Sequence, residues 1–577
     1  MDKVRGLKQL FIYCLFGVSM SSTLPVCAQQ VRLDNLKEQF SKKNLFRING
    51  GLAANGVFYT GDNSSRQPFM WVISGNVNIS IYDQVNLPFS CNFNNLGNGY
   101  NYPTLPNRLS IHPSYKWVTA HIGDVSMSFS PYTLSGHQFT GAGLELKPEN
   151  FPLKAQFMFG RLLKKTEYDS LNFGGIVAYK RMGYGVKLNY EKEKYLLGIS
   201  VLHAHDDPES LKWKPDSLQI YPQSNLALSG EVTLKLLDNL TVNVEYGFSS
   251  LTRDIRLPSV KTDLGIWLLT RNTSTVQYHA LKAGVNYLLK KNSIGLGYER
   301  IDPDYRTLGG YYFTNDFENF TFNYARPFWK DKINFSMNVG MQHDNLNRNK
   351  TEQTNRWVIA ANLNIVPTDK LNCSVSYSSF QSYTNIRSQF DYINATNKYE
   401  NQDTLDFTQL SQNVNVNIGY NWAVEEVRSH NLNFNLSFQE AADKRGGIIA
   451  PGSASRFYNL AASYALLFVP SAIQLTASGN LTYNKMAGME MITWGPNLGA
   501  SSKFLKNKMT VGVSSSYNVS SNSGIRTGSV FNARGNVVMR FFKHHTANIS
   551  VVYQNRDVPV KPVASDFTTT LNYAYSF

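Results

Sequence analysis

The run His203-Ala204-His205-Asp206-Asp207 puts His203, His205 and Asp207 on one side of an extended segment. Two imidazoles and a carboxylate make a donor set for a divalent metal, although at a loop mouth such groups are more often only hydrated. A second concentration of ionisable residues falls at Asp302, Asp304, Asp316 and Glu318. Their oxygens suit Ca²⁺, or they pair with Arg300 and Arg306 to hold an external loop over the mouth of the fold, which is the arrangement expected. Serines and histidines are too numerous to exclude a hydrolytic triad, but no local motif gathers one. The chain carries no phosphate loop, no paired CxxC and no dinucleotide fingerprint. It is read as a non-enzyme without a cofactor, with His203, His205 and Asp207 as weak metal candidates.

Composition narrows the scaffold that must carry these groups. The chain has 577 residues, of which 17% are charged and 13% aromatic. A soluble domain typically has about 25% charged residues, and so many aromatics argue against disorder. Beyond residue 28 no run of apolar residues is long enough to span a bilayer as a helix. Residues 1–28 combine Lys3, Arg5 and Lys8, an apolar stretch from Leu10 to Met20, and Val26-Cys27-Ala28. That is the layout of a cleaved secretory signal, so export is expected. Cleavage after Ala28 leaves Cys91 and Cys373, which are no disulfide framework and whose spacing leaves their pairing open.

Period-two alternation runs through the rest. Ile333, Phe335, Met337, Val339 and Met341 alternate with Asn334, Ser336, Asn338, Gly340 and Gln342. The same pattern recurs at 414–422, 432–439 and 473–483. Runs of about ten residues exceed the usual strand of a soluble sandwich and match a tilted strand crossing hydrocarbon. Their uncharged polar face suits a wet interior, and a sheet in lipid must close on itself. The expected fold is therefore all-β: a transmembrane antiparallel β-barrel of about 26 strands, with a range of about 22 to 28. The domain plan is a signal peptide at 1–28, a short periplasmic or luminal amphipathic segment at 29–44, and the barrel at 45–577. A short N-terminal helix is expected over 33–43, with Leu33, Leu36 and Phe40 on one side. Pro113, Gly123 and Pro131 make 108–136 the weakest stretch for strand assignment. Short basic turns, such as Lys290-Lys291-Asn292 and Leu505-Lys506-Asn507-Lys508, alternate with longer connections at 204–222, 251–274, 301–317 and 381–407. They place the lysines on the periplasmic side, near lipid phosphates. The net charge of +15 is thereby accounted for without nucleic acid. A lumen this wide would leak if unfilled. The candidates to fill it are the N-terminal segment, the 381–407 loop and the 113–136 stretch.

Phe567, Thr569, Leu571, Tyr573, Tyr575 and Phe577 share one face. This resembles the terminal strand of Gram-negative outer-membrane proteins, with Tyr573, Tyr575 and Phe577 as the signal for the barrel-assembly machinery. Gly123-Asp124, Phe129-Ser130-Pro131-Tyr132-Thr133-Leu134-Ser135-Gly136, Gly141-Ala142-Gly143-Leu144-Glu145-Leu146 and Phe159-Gly160-Arg161 resemble large outer-membrane barrels of Bacteroidetes-type bacteria. Glu299-Arg300-Ile301-Asp302-Pro303-Asp304-Tyr305 and Asp316-Phe317-Glu318-Asn319 extend that likeness. The Gly-Asp segment also weakly resembles fimbrial ushers and the type IX secretion translocon, but no separate usher-like plug domain is recognisable. The resemblance implies a cell outer-membrane location, contact with outer-membrane lipid and lipopolysaccharide, and a plug or cargo protein as partner. The expected function is transport or secretion through a gated or plugged pore. The alternative is a surface-anchoring barrel that binds a partner through its external loops.

Overall fold

The computed structural model describes residues 46–577 except 63–65, 83, 96–107, 169–176, 213–217, 260–270, 312, 314, 350–354, 380, 385–407, 425–426, 442–443, 446–447, 450–454, 487 and 560. The amphipathic segment at 29–44, its expected helix and most of the 381–407 connection lie outside them. Ile48–Ser80 and Gln84–Phe577 form one compact unit.

That unit is a closed antiparallel barrel. Its sheet has 28 strand segments. Arg108–Ile111 and Ser114–Tyr115 share one position, as do Leu371–Ser378 and Gln381–Thr384, so the wall has 26 strands. Closure joins the first strand, Phe46–Gly61, to the last, Ala564–Ser576, with Gly51 opposite Ser576 and Gly61 opposite Asp566. Paired backbone bonds between Gly50 and Phe577 tie off the lower end. Among the described residues there is no α-helix. Among the described residues the only other sheet is the small hairpin Lys444–Arg445 with Ile448–Ile449.

Alternation sets the two faces. Leu296, Phe320, Leu498 and Val513 are each more than half exposed on the outside, whereas Asn459, Thr482, Asn532 and Gln554 are buried on the inside. Aromatic pairs ring the outer face at two levels. Phe438, Tyr458 and Tyr483 stack across neighbouring strands near the upper rim, and Trp422, His430 and Tyr464 near the lower one. His430 and Phe438 are separated by roughly 27 Å of strand, or about 21 Å along the axis at a ~40° tilt, close to the apolar height of an outer-membrane barrel.

The lower turns are short and basic. Trp329, Lys330 and Asp331, and likewise Leu505, Lys506 and Asn507, have positive φ, the left-handed geometry that matches hairpin twist. Lys180, which shares the parity of the outward residues Tyr184 and Leu188, lies outside the strand Arg181–Lys192. The weak stretch loses no strand position. Its strand breaks at His112 and Pro113, pairing with Val85–Asn94 and Val118–Ser126 in two pieces.

Candidate functional site: two loops packed inside the barrel

Period two breaks its own rule over part of the inner wall. Leu202, Ala204, Ala227, Leu251, Tyr278 and Ala280 stand where neighbouring strands present Asn, Ser or Thr, and all are buried. An apolar inner wall has to be covered, and two upper loops cover it. Residues 127–137 and the described part of 302–316 fold into the lumen, so Met127, Phe129, Tyr132, Leu134, Tyr305 and Leu308 join the wall residues in one buried apolar cluster. The Tyr305 ring lies 6.0 Å from Tyr132, 6.4 Å from Tyr278 and 5.8 Å from Phe313.

The first loop holds its own shape. Phe129 N donates to Leu134 O at 2.8 Å, and Thr133 N to Ser130 O at 3.2 Å. Gly136, at φ +62°, takes the left-handed conformation that turns the chain back to the wall. Its amide donates to Ser128 Oγ, and its carbonyl accepts from Ser126 Oγ.

The loop docks on a band of charge. On the inner wall, Glu231 stands opposite Glu245, Glu245 opposite Lys282, and Lys282 opposite Glu299. Ser130 Oγ donates to Glu245 at 2.5 Å, and Tyr132 OH to Glu299 at 2.9 Å. Lys187 Nζ donates to the Phe129 carbonyl at 2.6 Å and lies 2.9 Å from Glu231. Glu245 sits seven residues below the top of its strand, Leu240–Thr252, so the loop reaches roughly 24 Å along the strand, or about 18 Å down the barrel axis at a ~40° tilt.

The second loop locks the first in place. Tyr305 OH donates to Tyr132 O at 2.8 Å, Thr307 Oγ1 to Thr133 O at 2.7 Å, and Ser135 N to Gly309 O at 3.0 Å. The wall supports this contact: Leu308 N donates to Asn225 Oδ1 at 3.0 Å, and Ser249 Oγ to Arg306 O at 2.6 Å. Burial, reinforced by Glu299 and Glu245, pushes the Tyr132 hydroxyl above the usual phenol range. Burial, with Glu245 next, does the same for Tyr305. Both therefore remain protonated donors. At the edge of the cluster His137 stacks on Tyr311 at 4.1 Å and donates from Nδ1 to Gln138 O at 2.6 Å. Burial, with the nearby Arg181 charge, pulls the His137 imidazole down to about 4 against the opposing effect of that hydrogen bond.

The residues singled out by spacing occupy other places. His203 and His205 lie on the outer face near the top of Tyr195–Asp206, their rings 5.6 Å apart, and His203 lies beside Tyr184. Asp207 lies beyond the strand and accepts from Glu209 N. Among the described residues no three His, Cys, Asp or Glu are placed to hold a metal. Gly123, at φ +103°, sits where a Cβ would lie 2.2 Å from Leu109 O. Asp124 accepts from Leu109 N and Thr140 Oγ1, which fastens the broken strand.

The acidic set does not converge. Asp302 accepts from His279 N and lies 4.0 Å from Arg300, while Asp304 lies 4.0 Å from Arg253. Asp316 accepts from Leu346 N, and Glu318 pairs with Tyr298 and His343. Of the pairs expected to hold the loop, Arg300–Asp302 is present, and Tyr305, Thr307 and Leu308 draw the middle of the loop inward. Tyr573 and Tyr575 flank His545, and Tyr575 lies 5.4 Å from Phe577 on the lower rim. Cys91 and Cys373 are both free thiols.

No protein-family model matches the chain, and no curated protein matches it. Among solved structures, it is similar to the translocation pore of the P pilus usher PapC, at 12% identity and TM-score 0.37, covering 92% of this chain and 100% of that one. An E. coli P pilus tip assembly intermediate, PapC-PapD-PapK-PapG, gives 11% identity and TM-score 0.42, covering 91% and 60%. A mutant ferric enterobactin receptor of Pseudomonas aeruginosa gives 12% and 0.39, covering 93% and 81%. Similarity at that level says nothing about activity.

Proposed function

We propose that the chain is an integral outer-membrane barrel whose lumen is a gated conduit for transport or secretion. The observation that carries the proposal is the pair of loops locked together inside the wall. Twenty-six strands at a ~40° tilt, drawn as a circle, enclose a backbone-to-backbone width of about 50 Å. Barrels of 22 strands are normally plugged, and here the chain supplies filling of its own, fastened by hydrogen bonds and apolar contacts that can break. The apolar outer face with its two aromatic levels supports insertion in lipid, and the basic lower turns support a periplasmic lower end. Outer-leaflet lipopolysaccharide around the wall, the barrel-assembly machinery and a cargo or plug protein are the partners that go with this reading.

The experiment is conductance in planar bilayers, comparing the full chain with variants lacking 129–135 and lacking 29–44. Larger or more frequent openings in the first variant support the conduit. Silence in every form, with a surface protein copurifying from native membranes, overturns it in favour of an anchoring barrel.

A further inference from the structure

Charge is divided unevenly inside the barrel. The arc from Arg181–Lys192 to Asn292–Ile301 turns Lys187, Glu231, Glu245, Lys282 and Glu299 inward, and the 127–137 loop docks there. From Ile333–Asp344 round to Met509–Asn522 the arrangement is different. Inward positions between the two rims are Asn, Gln, Ser, Thr, Gly and small or aliphatic residues, with Phe457 the aromatic exception near the upper rim, and none of the described side chains there is charged. The described charged side chains on these strands sit at the rims or face out, as do the ion pairs Arg456–Glu440 and Lys485–Glu490 at the upper edge.

The amides on this face are held in place by one another. Asn459 Nδ2 donates to Ser437 Oγ at 3.2 Å, and Thr482 Oγ1 to Asn459 Oδ1 at 2.7 Å. Asn417 Nδ2 donates to Asn433 Oδ1 at 3.5 Å, and Asn431 bonds Asn421. Asn459 and Thr482 are buried in this lateral network, but Asn417 and Asn433 are half-buried and Asn421 and Asn431 exposed. An Asn side chain has two donors and two acceptor lone pairs, so on these four one lateral bond orients the amide and leaves most of its capacity for the lumen. Adjacent strands repeat such groups every ~4.8 Å, and one strand repeats them every ~6.8 Å.

Fixed charge of one sign would draw in ions of the other, and apolar side chains would hold greasy solutes. This face has no such charge between its rims, and its apolar side chains are scattered among the amides and hydroxyls. It offers oriented groups that both give and accept hydrogen bonds, which complements a solute whose own polar groups do the same and carry no charge.

We infer that the arc from Ile333–Asp344 to Met509–Asn522 is a binding surface for a neutral oligosaccharide. The inference rests on the conduit reading, because it needs this face to meet solute, and it adds the ligand class. The charged arc anchors the loops, and the neutral arc meets the solute.

The test is equilibrium dialysis of the detergent-solubilised full chain against maltohexaose, against polyglutamate of similar length and against an unfolded Ser/Asn-rich peptide. The variant is the double substitution Asn417→Asp with Asn433→Asp, since lumen-facing changes tune selectivity with little effect on the barrel. The expected result is saturable maltohexaose binding, with little binding of either polypeptide, that the variant weakens about three- to tenfold. No saturable sugar binding, an unaffected variant, or tighter capture of either polypeptide overturns the inference. Sugar binding in a barrel that never conducts leaves the inference standing and removes the conduit. Conductance without sugar binding does the reverse.

Discussion

Removing the two side-chain donors that lock the loops together isolates the latch from the wall. In the double variant Tyr305→Phe with Thr307→Val, the carbonyls of Tyr132 and Thr133 lose partners at 2.8 and 2.7 Å. Both atoms lie among buried residues, where an acceptor left without a donor costs about 1–3 kcal/mol. The two together destabilise the docked state by roughly 2–6 kcal/mol, and at ~1.4 kcal/mol per decade its ratio to the undocked state falls at least twentyfold. The strand ladders are untouched, so the barrel should keep its heat-modifiable migration on gels. Single-channel recording of the reconstituted protein should show open probability rising by an order of magnitude or more. Unchanged gating in a correctly folded variant would refute the latch.

Acidification acts on the same element. His137 is held neutral by burial, at about 4 in the docked loop against 6.5 for the free group. An undocked loop therefore takes up the proton first, and docking weakens as the pH falls from 6.5 toward 4, by about 3 kcal/mol in all. Above 6.5 the full stabilisation is present. Open probability should climb over that window, and His137→Gln should flatten the profile. A Cβ at Gly247 would lie 2.5 Å from Tyr132 Cβ, and one at Gly309 2.2 Å from Leu202 Cδ2. Gly247→Ala and Gly309→Ala should each cost about 1–3 kcal/mol of docking and expose 127–137 to limited proteolysis; protection equal to wild type would contradict this. Lys187→Met leaves Glu231 and the Phe129 carbonyl without their ammonium partner, and should loosen the same loop in hydrogen exchange without changing exchange in the wall strands. On the outer face, Phe434→Arg should lower stability against urea in lipid vesicles by roughly 2–4 kcal/mol, while Asn433→Ser, one residue away and inward, should change it far less.

The wall was legible because a β-strand in this setting has one period and two environments. Ile333 to Met341 against Asn334 to Gln342 settles the facing of every residue between, and the basic turns at Lys290 and Lys506 fix which ends are short. The interior was harder to read. Phe129, Tyr132, Leu134 and Tyr305 sit in segments without period, and their partners come from strands scattered between Val125 and Phe317. A signal was present in Leu202, Ala204, Leu251 and Ala280, which are apolar at inward positions of strands that are already apolar outside. A strand apolar on both faces must be covered on both. The acidic residues from Asp302 to Glu318 misled because spacing within a loop does not say which way it folds. Asp302, Asp316 and Glu318 secure the ends of the loop, while aromatic burial and five hydrogen bonds draw its middle inward.

The central claim is that neighbouring residues of one strand face hydrocarbon and water alternately. It can be measured directly with single spin-labelled cysteines from 432 to 437, after replacing the free Cys91 and Cys373, in lipid-reconstituted protein. Labels at 432, 434 and 436 should collide with oxygen and be shielded from an aqueous nickel chelate, and labels at 433, 435 and 437 should show the opposite. Equal aqueous accessibility on both faces would contradict the account.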